Sequence, residues 1–233
     1  MNIALLGYGK MGKAIETIAV SRGHHIVQKV SSHTKDYSLE NVDIAIDFSL
    51  PSTAFKNISN CILQQTPVIS GTTGWLEKYD DVVSLCQKNN GTFLYASNFS
   101  LGVNIFFEVN KILAKLMKDL PQYKVGIEEI HHTQKLDAPS GTAITLAEDI
   151  INQSNHKNWT LETAKPNEIG ILAKRIENVP GTHQINYESE VDSISIQHTA
   201  HNRKGFALGA VIAAEWIYNK TGVYTMKDVL NIG

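Results

Sequence analysis

The chain has 233 residues, enough for one large domain or two modest ones. Its 42% hydrophobic and 19% charged residues describe a folded globular protein, and its formal net charge of -2, with Lys and Arg scattered, leaves no basic footprint for nucleic acid. No apolar run reaches membrane-spanning length, and the opening Met1-Asn2-Ile3-Ala4-Leu5-Leu6 lacks the basic start of a secretion signal, so a cytoplasmic protein with no membrane partner is expected.

The first hundred residues alternate strand-like and helix-like segments. Residues 3–6 form a short apolar run ending at Gly7, and residues 11–21 have helical spacing with Ile15, Ile18 and Ala19 on one face. His25–Val30 reads as a second strand, residues 43–48 as a third, and residues 52–65 as a helix after Pro51. Val68–Ser70 reads as a strand, residues 75–89 as a helix and residues 92–96 as a strand. This rhythm implies a parallel sheet with right-handed crossovers. Cys61 and Cys86 fall in these helical segments, form no metal or redox pattern, and are expected to be buried thiols.

The pattern then changes. Residues 103–120 read as an amphipathic helix with Ile105, Phe106, Val109, Ile112, Leu113 and Leu116 on a stripe. A strand is expected over 123–131, a helix over 142–153 and a polar loop over 155–168. Three strands follow, at 170–176, 182–189 and Ser193–Ala200, and then a final helix over 205–219. The fold class is therefore α/β, with a doubly wound Rossmann-type sheet followed by an α+β domain on a mixed or antiparallel sheet.

Gly7-Tyr8-Gly9-Lys10-Met11-Gly12 is a G-x-G-x-x-G turn between a strand and a helix. Gly7 allows the tight turn, Gly9 lets backbone approach a pyrophosphate, and Gly12 lets helix and strand pack closely. The helix N-terminus offers free N–H groups to the anion. An NAD site usually places a carboxylate about twenty residues later, on the ribose hydroxyls. Here the second strand ends Val30-Ser31-Ser32-His33-Thr34-Lys35, with no carboxylate. Hydroxyls beside His33 and Lys35 tolerate a 2′-phosphate, so NADPH is expected to serve at least as well as NADH, unless Asp36 reaches the ribose instead. Gly71-Thr72-Thr73-Gly74 and Ala96-Ser97-Asn98-Phe99-Ser100 follow the fourth and fifth strands, where loops line the ligand crevice of such a sheet.

Residues 129–142 concentrate chemistry. His131 and His132 end a strand, where neighbouring side chains point to opposite faces, so they are not expected to grip one metal ion, and no metal site is expected. One of them can face the crevice and transfer a proton near neutrality. Lys135 supplies a cation or a proton. Ser140 caps a helix whose first N–H groups belong to Gly141, Thr142 and Ala143, an arrangement suited to a carboxylate.

The run Glu129-x-His131-His132-x-x-Lys135-x-Asp137-Ala138-Pro139-Ser140-Gly141-Thr142-Ala143 resembles the signature of the 4-hydroxy-tetrahydrodipicolinate reductase family of diaminopimelate and lysine biosynthesis. The likeness extends to Gly7–Gly12, Asp47-Phe48-Ser49, Gly71–Gly74, Asn98-Phe99-Ser100, Gly102-Val103-Asn104, Gly181-Thr182-His183, and the segment 198–210 with Arg203. It implies NADPH- or NADH-dependent reduction of a cyclic conjugated imine bearing two carboxylates, by hydride transfer and then protonation of the enamine. It implies an acid/base role for His131, proton donation by Lys135, and substrate contacts from His132, Ser140, Gly141 and Thr142. The nucleotide is expected at Gly7, Tyr8, Gly9, Lys10, Met11, Gly12, Ser32, Gly71, Thr72, Thr73, Ala96, Ser97, Asn98 and Phe99. A dinucleotide domain is expected over 1–101 with 205–233, and a substrate-binding and oligomerisation domain over 102–204. The resemblance also implies a homotetramer joined through the second-domain sheet. The chain departs from the family at Ser31 or Ser32, where an acidic cofactor-selecting residue is usual, and at Arg175-Ile176-Glu177-Asn178-Val179-Pro180-Gly181, which is less glycine-rich than usual. Two other readings predict different chemistry. A semialdehyde dehydrogenase needs a cysteine nucleophile, and a nucleotide-binding sensor needs no proton donors.

Overall fold

The apolar runs of the first hundred residues form strands in the computed structural model, which describes residues 1–31, 33–34, 36–202 and 204–232. In chain order the elements begin β1 (Asn2–Leu6), α1 (Lys10–Ser21), β2 (His25–Val30), β3 (Ile44–Asp47), α2 (Pro51–Leu63), β4 (Val68–Ser70), α3 (Tyr79–Lys88) and β5 (Thr92–Tyr95). They continue with α4 (Leu101–Met117), β6 (Lys124–His131), α5 (Gly141–Gln153), β7 (Asn158–Thr160), β8 (Glu168–Arg175), β9 (Gly181–Glu188) and β10 (Ser193–Ala200). The chain ends with α6 (Lys204–Ile217), β11 (Gly222–Tyr224) and α7 (Met226–Leu230). Contacts divide it into two units, Met1–Asn104 with Lys204–Gly233, and Ile105–Arg203.

The first unit holds a six-stranded sheet in the order β11-β5-β4-β3-β1-β2, with every pairing parallel. Strands buried on both faces need continuous apolar runs, which is why β1 and β3 show little alternation. Ile3, Leu5, Ile44, Ile46, Ile69 and Leu94 pack with Ile15 and Ala19 of α1 and with α6. Ala4, Leu6, Ala45, Val68 and Phe93 pack with α2 and α3. The doubly wound sheet is therefore observed. Helix α6 buries Ala207, Gly209, Ala210, Val211, Ala213, Ala214 and Ile217, and at Gly209 an added Cβ would lie 1.7 Å from the carbonyl oxygen of Phe99.

The second unit holds a mixed sheet in the order β10-β9-β6-β8-β7. β8 runs parallel to β6 and β7, while β9 is antiparallel to β6 and β10. Val125, Ile127, Ile169, Ile171, Ile185 and Tyr187 pack against Phe106, Ala114 and Met117 of α4 and Ala143, Leu146, Ala147 and Ile150 of α5.

Three expectations change. The polar stretch 155–168 contains β7, an edge strand paired to β8. The stripe on α4 points outward at Ile105, Val109, Ile112 and Leu116, which are 49%, 41%, 61% and 69% exposed. The buried side of that helix runs through Val103, Phe106, Asn110, Ala114 and Met117 instead. The segment 75–89 opens with a 3-10 turn at Leu76–Lys78 before α3. Beyond α6, β11 completes the first sheet beside β5, and the short helix α7 follows it. Among the described residues no helix is long and apolar enough to cross a membrane.

Candidate functional site

In the first unit the chain moves outward from β1 to β2 and then returns to lay β3, β4 and β5 on the other side. The loops after β1 and β3 flank this reversal, the place where open α/β sheets take ligands. Gly7 has φ +106°, and a Cβ there would lie 2.1 Å from the carbonyl oxygen of Phe48. A Cβ on Gly12 would lie 2.4 Å from the carbonyl oxygen of Gly7. A Cβ on Gly9 would meet nothing within 4 Å. The first and third glycines thus serve the turn and its packing, and the middle one leaves bare backbone at the start of α1. Gly9, Lys10 and Met11 line a cleft of about 350 Å³ with Gly71, Thr72 and Thr73. Bare backbone, free helix N–H groups and an open cleft fit a dinucleotide pyrophosphate.

Asp47, at the end of β3, is fully buried. Its Oδ1 accepts from Ser49 Oγ (2.7 Å) and Asn57 Nδ2 (3.2 Å), and its Oδ2 from Ser70 Oγ (2.9 Å) and Thr72 Oγ1 (2.7 Å). Burial pushes the carboxyl up, against the pull of these four donors. The Thr72 hydroxyl also accepts from the Ser49 N–H at 2.9 Å, so it ties two crevice loops together and has no hydrogen left for a ligand. The Tyr8 hydroxyl donates to Glu16, whose other oxygen lies 2.6 Å from Lys29 Nζ. After β5, Ser97 is exposed and Ala96 and Asn98 are half-buried. The Phe99 ring is 1% exposed and packs 5.6 Å from that of Phe48, so it belongs to the core. The expectations at Ser32, Lys35 and Arg203 fall outside the described residues.

In the second unit, strand alternation separates the two histidines. Val125, Ile127, Glu129 and His131 share the buried face of β6. His132 lines a cavity of about 390 Å³ with Thr133, Gln134, Asn178 and Pro180. His131 has its Nδ1 3.6 Å from Glu129 Oε2 and its ring 5.0 Å from that of His183 at 70°. Burial first, and then the charges of His183, Lys135 and Arg175, push His131 down to about 4 despite Glu129, so its imidazole is neutral at neutral pH.

Glu129 is fully buried. Its Oε1 accepts from both terminal nitrogens of Arg175, at 3.3 and 3.2 Å, and its Oε2 accepts from the Ser140 N–H at 3.0 Å. Burial raises its carboxyl, but His183, the Ser140 hydroxyl and N–H, and His131 outweigh it and hold the group at about 2. Glu129, His131 and His183 bring three ligand-type atoms within 4.8 Å of one another. The guanidinium of Arg175 and the Ser140 N–H already meet the charge of the carboxylate. Lys135 Nζ grips Asp137 at 2.9 and 2.7 Å, and the ammonium pulls the Asp137 carboxyl down. Ser140 caps α5, its Oγ accepting from the Ala143 N–H (3.2 Å) and lying 3.0 Å from His183 Nε2. The Ser140 side chain and N–H are thus both engaged inside the protein. The N–H groups of Gly141 and Thr142 precede the first helical bond, from Ile144 N–H to Ser140 O, and have no intrahelical acceptor.

The dihydrodipicolinate reductase family models match this chain, the N-terminal one over residues 1–99 and the C-terminal one over residues 102–230. The chain belongs to the dihydrodipicolinate reductase family. Among its relatives, 4-hydroxy-tetrahydrodipicolinate reductase of Christiangramia forsetii is 57% identical over 99% of this chain and 98% of its own. The enzyme of the same name from Rickettsia bellii is 36% identical over 98% and 94%. A dipicolinate-bound dihydrodipicolinate reductase from Paenisporosarcina sp. TG-14 shares the fold, with TM-score 0.80, 22% identity and 97% coverage of both chains. As a member of the dihydrodipicolinate reductase family, the chain is a pyridine-nucleotide-dependent oxidoreductase.

The sequence marked His131, Lys135 and the start of α5, and the structure brings them onto one end of the second unit's sheet. It did not assign roles to Glu129, Arg175 or His183. Glu129 has a weak signal, a carboxylate two positions before a histidine on one strand face. Arg175 and His183 arrive from other strands.

Proposed function

We propose that this chain reduces 4-hydroxy-tetrahydrodipicolinate to tetrahydrodipicolinate in diaminopimelate and lysine biosynthesis. The observation that carries the reading is the arrangement around residues 129–142 in a chain that matches the family end to end. It combines a neutral buried imidazole, an ion-paired ammonium and a capped helix start with two N–H groups to spare.

Bound at the Gly7–Gly12 turn, a reduced nicotinamide supplies the hydride. The residues of the second unit do the rest. The N–H groups of Gly141 and Thr142 hold a substrate carboxylate at the positive end of α5, and His132 contacts the substrate from its own cavity. Ser140 contributes by setting the helix start and not through its hydroxyl. Loss of the 4-hydroxyl as water gives the conjugated imine, hydride addition to it leaves an enamine, and Lys135, held as an ammonium by Asp137, protonates the adjacent carbon. Lys135, left neutral, regains a proton from solvent water, and His131, neutral at working pH, is the base that relays it.

NADPH serves at least as well as NADH. The described part of the turn after β2 is closed by Thr34 Oγ1 accepting from the Ser31 N–H at 3.0 Å, and the sequence from Ser31 to Lys35 carries no carboxylate to repel a 2′-phosphate. The enzyme is cytoplasmic. Copies assemble as a homotetramer through the sheet face opposite the helices, where Glu128, Gln184, Asn186, Ser195 and Gln197 lie.

The test is to generate the substrate in place from pyruvate and aspartate semialdehyde with the preceding synthase, and to follow absorbance loss of NADPH and NADH. Oxidation of neither nucleotide refutes the reading, and a clear kinetic preference for NADH refutes the cofactor assignment. His131→Gln and Lys135→Ala should each depress kcat by about a hundredfold or more, with nucleotide KM little changed.

A further inference from the structure

Resting on that reading, we infer that Arg175 is a positioning residue for Lys135, and that Glu129 is the buried anchor through which it acts. Arg175 lies at the end of β8, in the stretch where the chain departs from its family, and pairs in register with His131. Its guanidinium has five N–H donors, and the structure accounts for all of them. Nε donates to the Lys135 carbonyl at 3.2 Å. One terminal nitrogen donates to Glu129 Oε1 at 3.3 Å and to the Lys174 carbonyl at 2.9 Å. The other donates to Glu129 Oε1 at 3.2 Å and to the Asp137 carbonyl at 2.6 Å.

Two consequences follow. With no donor left, Arg175 is not a ligand for a substrate carboxylate, although it is a cation beside the reacting segment. Its acceptors also include the main-chain carbonyls of both partners in the Lys135–Asp137 ion pair. The ammonium is therefore fixed from two sides, by Asp137 at its tip and by Arg175 through its backbone. The far end of the clamp is secured because Glu129 is fully buried and its second oxygen holds the Ser140 N–H. One carboxylate thereby sets both the loop that carries Lys135 and the start of the helix that carries Gly141 and Thr142. A lysine at 175 keeps the charge, but it has three donors and no planar fork, so it cannot span these acceptors.

The experiment compares the full-length enzyme with Arg175→Lys, Lys135→Ala and the double variant, by steady-state kinetics and by amide hydrogen exchange. Arg175→Lys should lower kcat about ten- to a hundredfold, the range expected of a misplaced catalytic group, while nucleotide KM stays within about twofold. Because Arg175 acts through Lys135, adding Arg175→Lys to Lys135→Ala should cost little more than Lys135→Ala alone. Amides of residues 132–140 should exchange at least about tenfold faster in Arg175→Lys, with those of α4 and β9 unchanged. Glu129→Gln should accelerate the same amides and also those opening α5. A kcat for Arg175→Lys within about twofold of the parent overturns the inference, as does a double variant whose loss is the product of the single losses. Unaltered exchange over 132–140 also overturns it. The exchange readout needs no turnover, so a parent enzyme without reductase activity sinks the proposed function while the clamp is still tested.

Discussion

Gly181 leaves just enough room for His131. A Cβ at this position would lie 3.2 Å from His131 Nε2 and 3.3 Å from its Cδ2, and the ring also neighbours Glu129 at 3.6 Å and the His183 ring at 5.0 Å. Gly181→Ala must therefore move the imidazole by a few tenths of an ångström. The expected result is a kcat reduced about tenfold, at a stability cost of about 1 kcal/mol. Steady-state kinetics and urea unfolding check the pair, and a variant that keeps parent kcat shows that the imidazole position is not critical. At this scale the sequence disclosed residues that stand close together along the chain, His131, His132, Lys135 and Ser140. It did not disclose partners set by strand register. Glu129 faces His183 across β6 and β9, and His131 faces Arg175 across β6 and β8. No local pattern in 129–142 encodes either pairing, because a shift of one residue in register would put other side chains there.

Among the elements, α5 shows the closest link between fold and site. Its cap residue is also the hydrogen-bond partner of His183 and, through its N–H, of Glu129. Ser140→Ala should cost about 1 kcal/mol for the lost cap and about 1 kcal/mol more for the lost bond to the buried His183 Nε2, which keeps only Glu129 Oε2 at 3.7 Å. Urea unfolding reads the sum. A loss under about 0.5 kcal/mol would mean that neither bond contributes, because ordinary surface substitutions fall in that range. The helix start itself was legible, since Ser before Gly-Thr-Ala and an apolar run is a strong N-terminal signal. Other elements were less so. β7 is a three-residue edge strand in a polar stretch, too short to show alternation. In α4, apolar residues occur on both sides of the helix, so periodicity alone could not tell that 105, 109, 112 and 116 face outward. β11 gains its place only by pairing with β5, far away in sequence.

For the molecule as a whole, two buried groups of the site tie stability to acidity. His131 in the folded chain stays neutral down to about 4, whereas an unfolded histidine takes its proton near 6.5. Between those values the unfolded chain binds a proton that the folded chain refuses, so stability falls as pH drops. Glu129 acts lower. It is held at about 2 when folded and returns to about 4.3 when unfolded, so its contribution is complete above the unfolded value and is lost as pH falls towards 2. Asp47 opposes both, because burial raises its carboxyl and its contribution is present in acid and lost as pH rises through the folded value. From pH 7 to 4.5 the histidines lower stability as pH falls, and Asp47 acts against them. His156 and His198, also pushed down by burial, act in the same direction as His131. Relative to the parent, His131→Gln should therefore remove on the order of 2 kcal/mol of the acid-side loss of stability read from urea midpoints across that range, while leaving the share from His156 and His198. Parallel curves for the two proteins would show that His131 titrates normally when folded. The neutral imidazole on which the accepting role of His131 depends would then be absent below about pH 6.5.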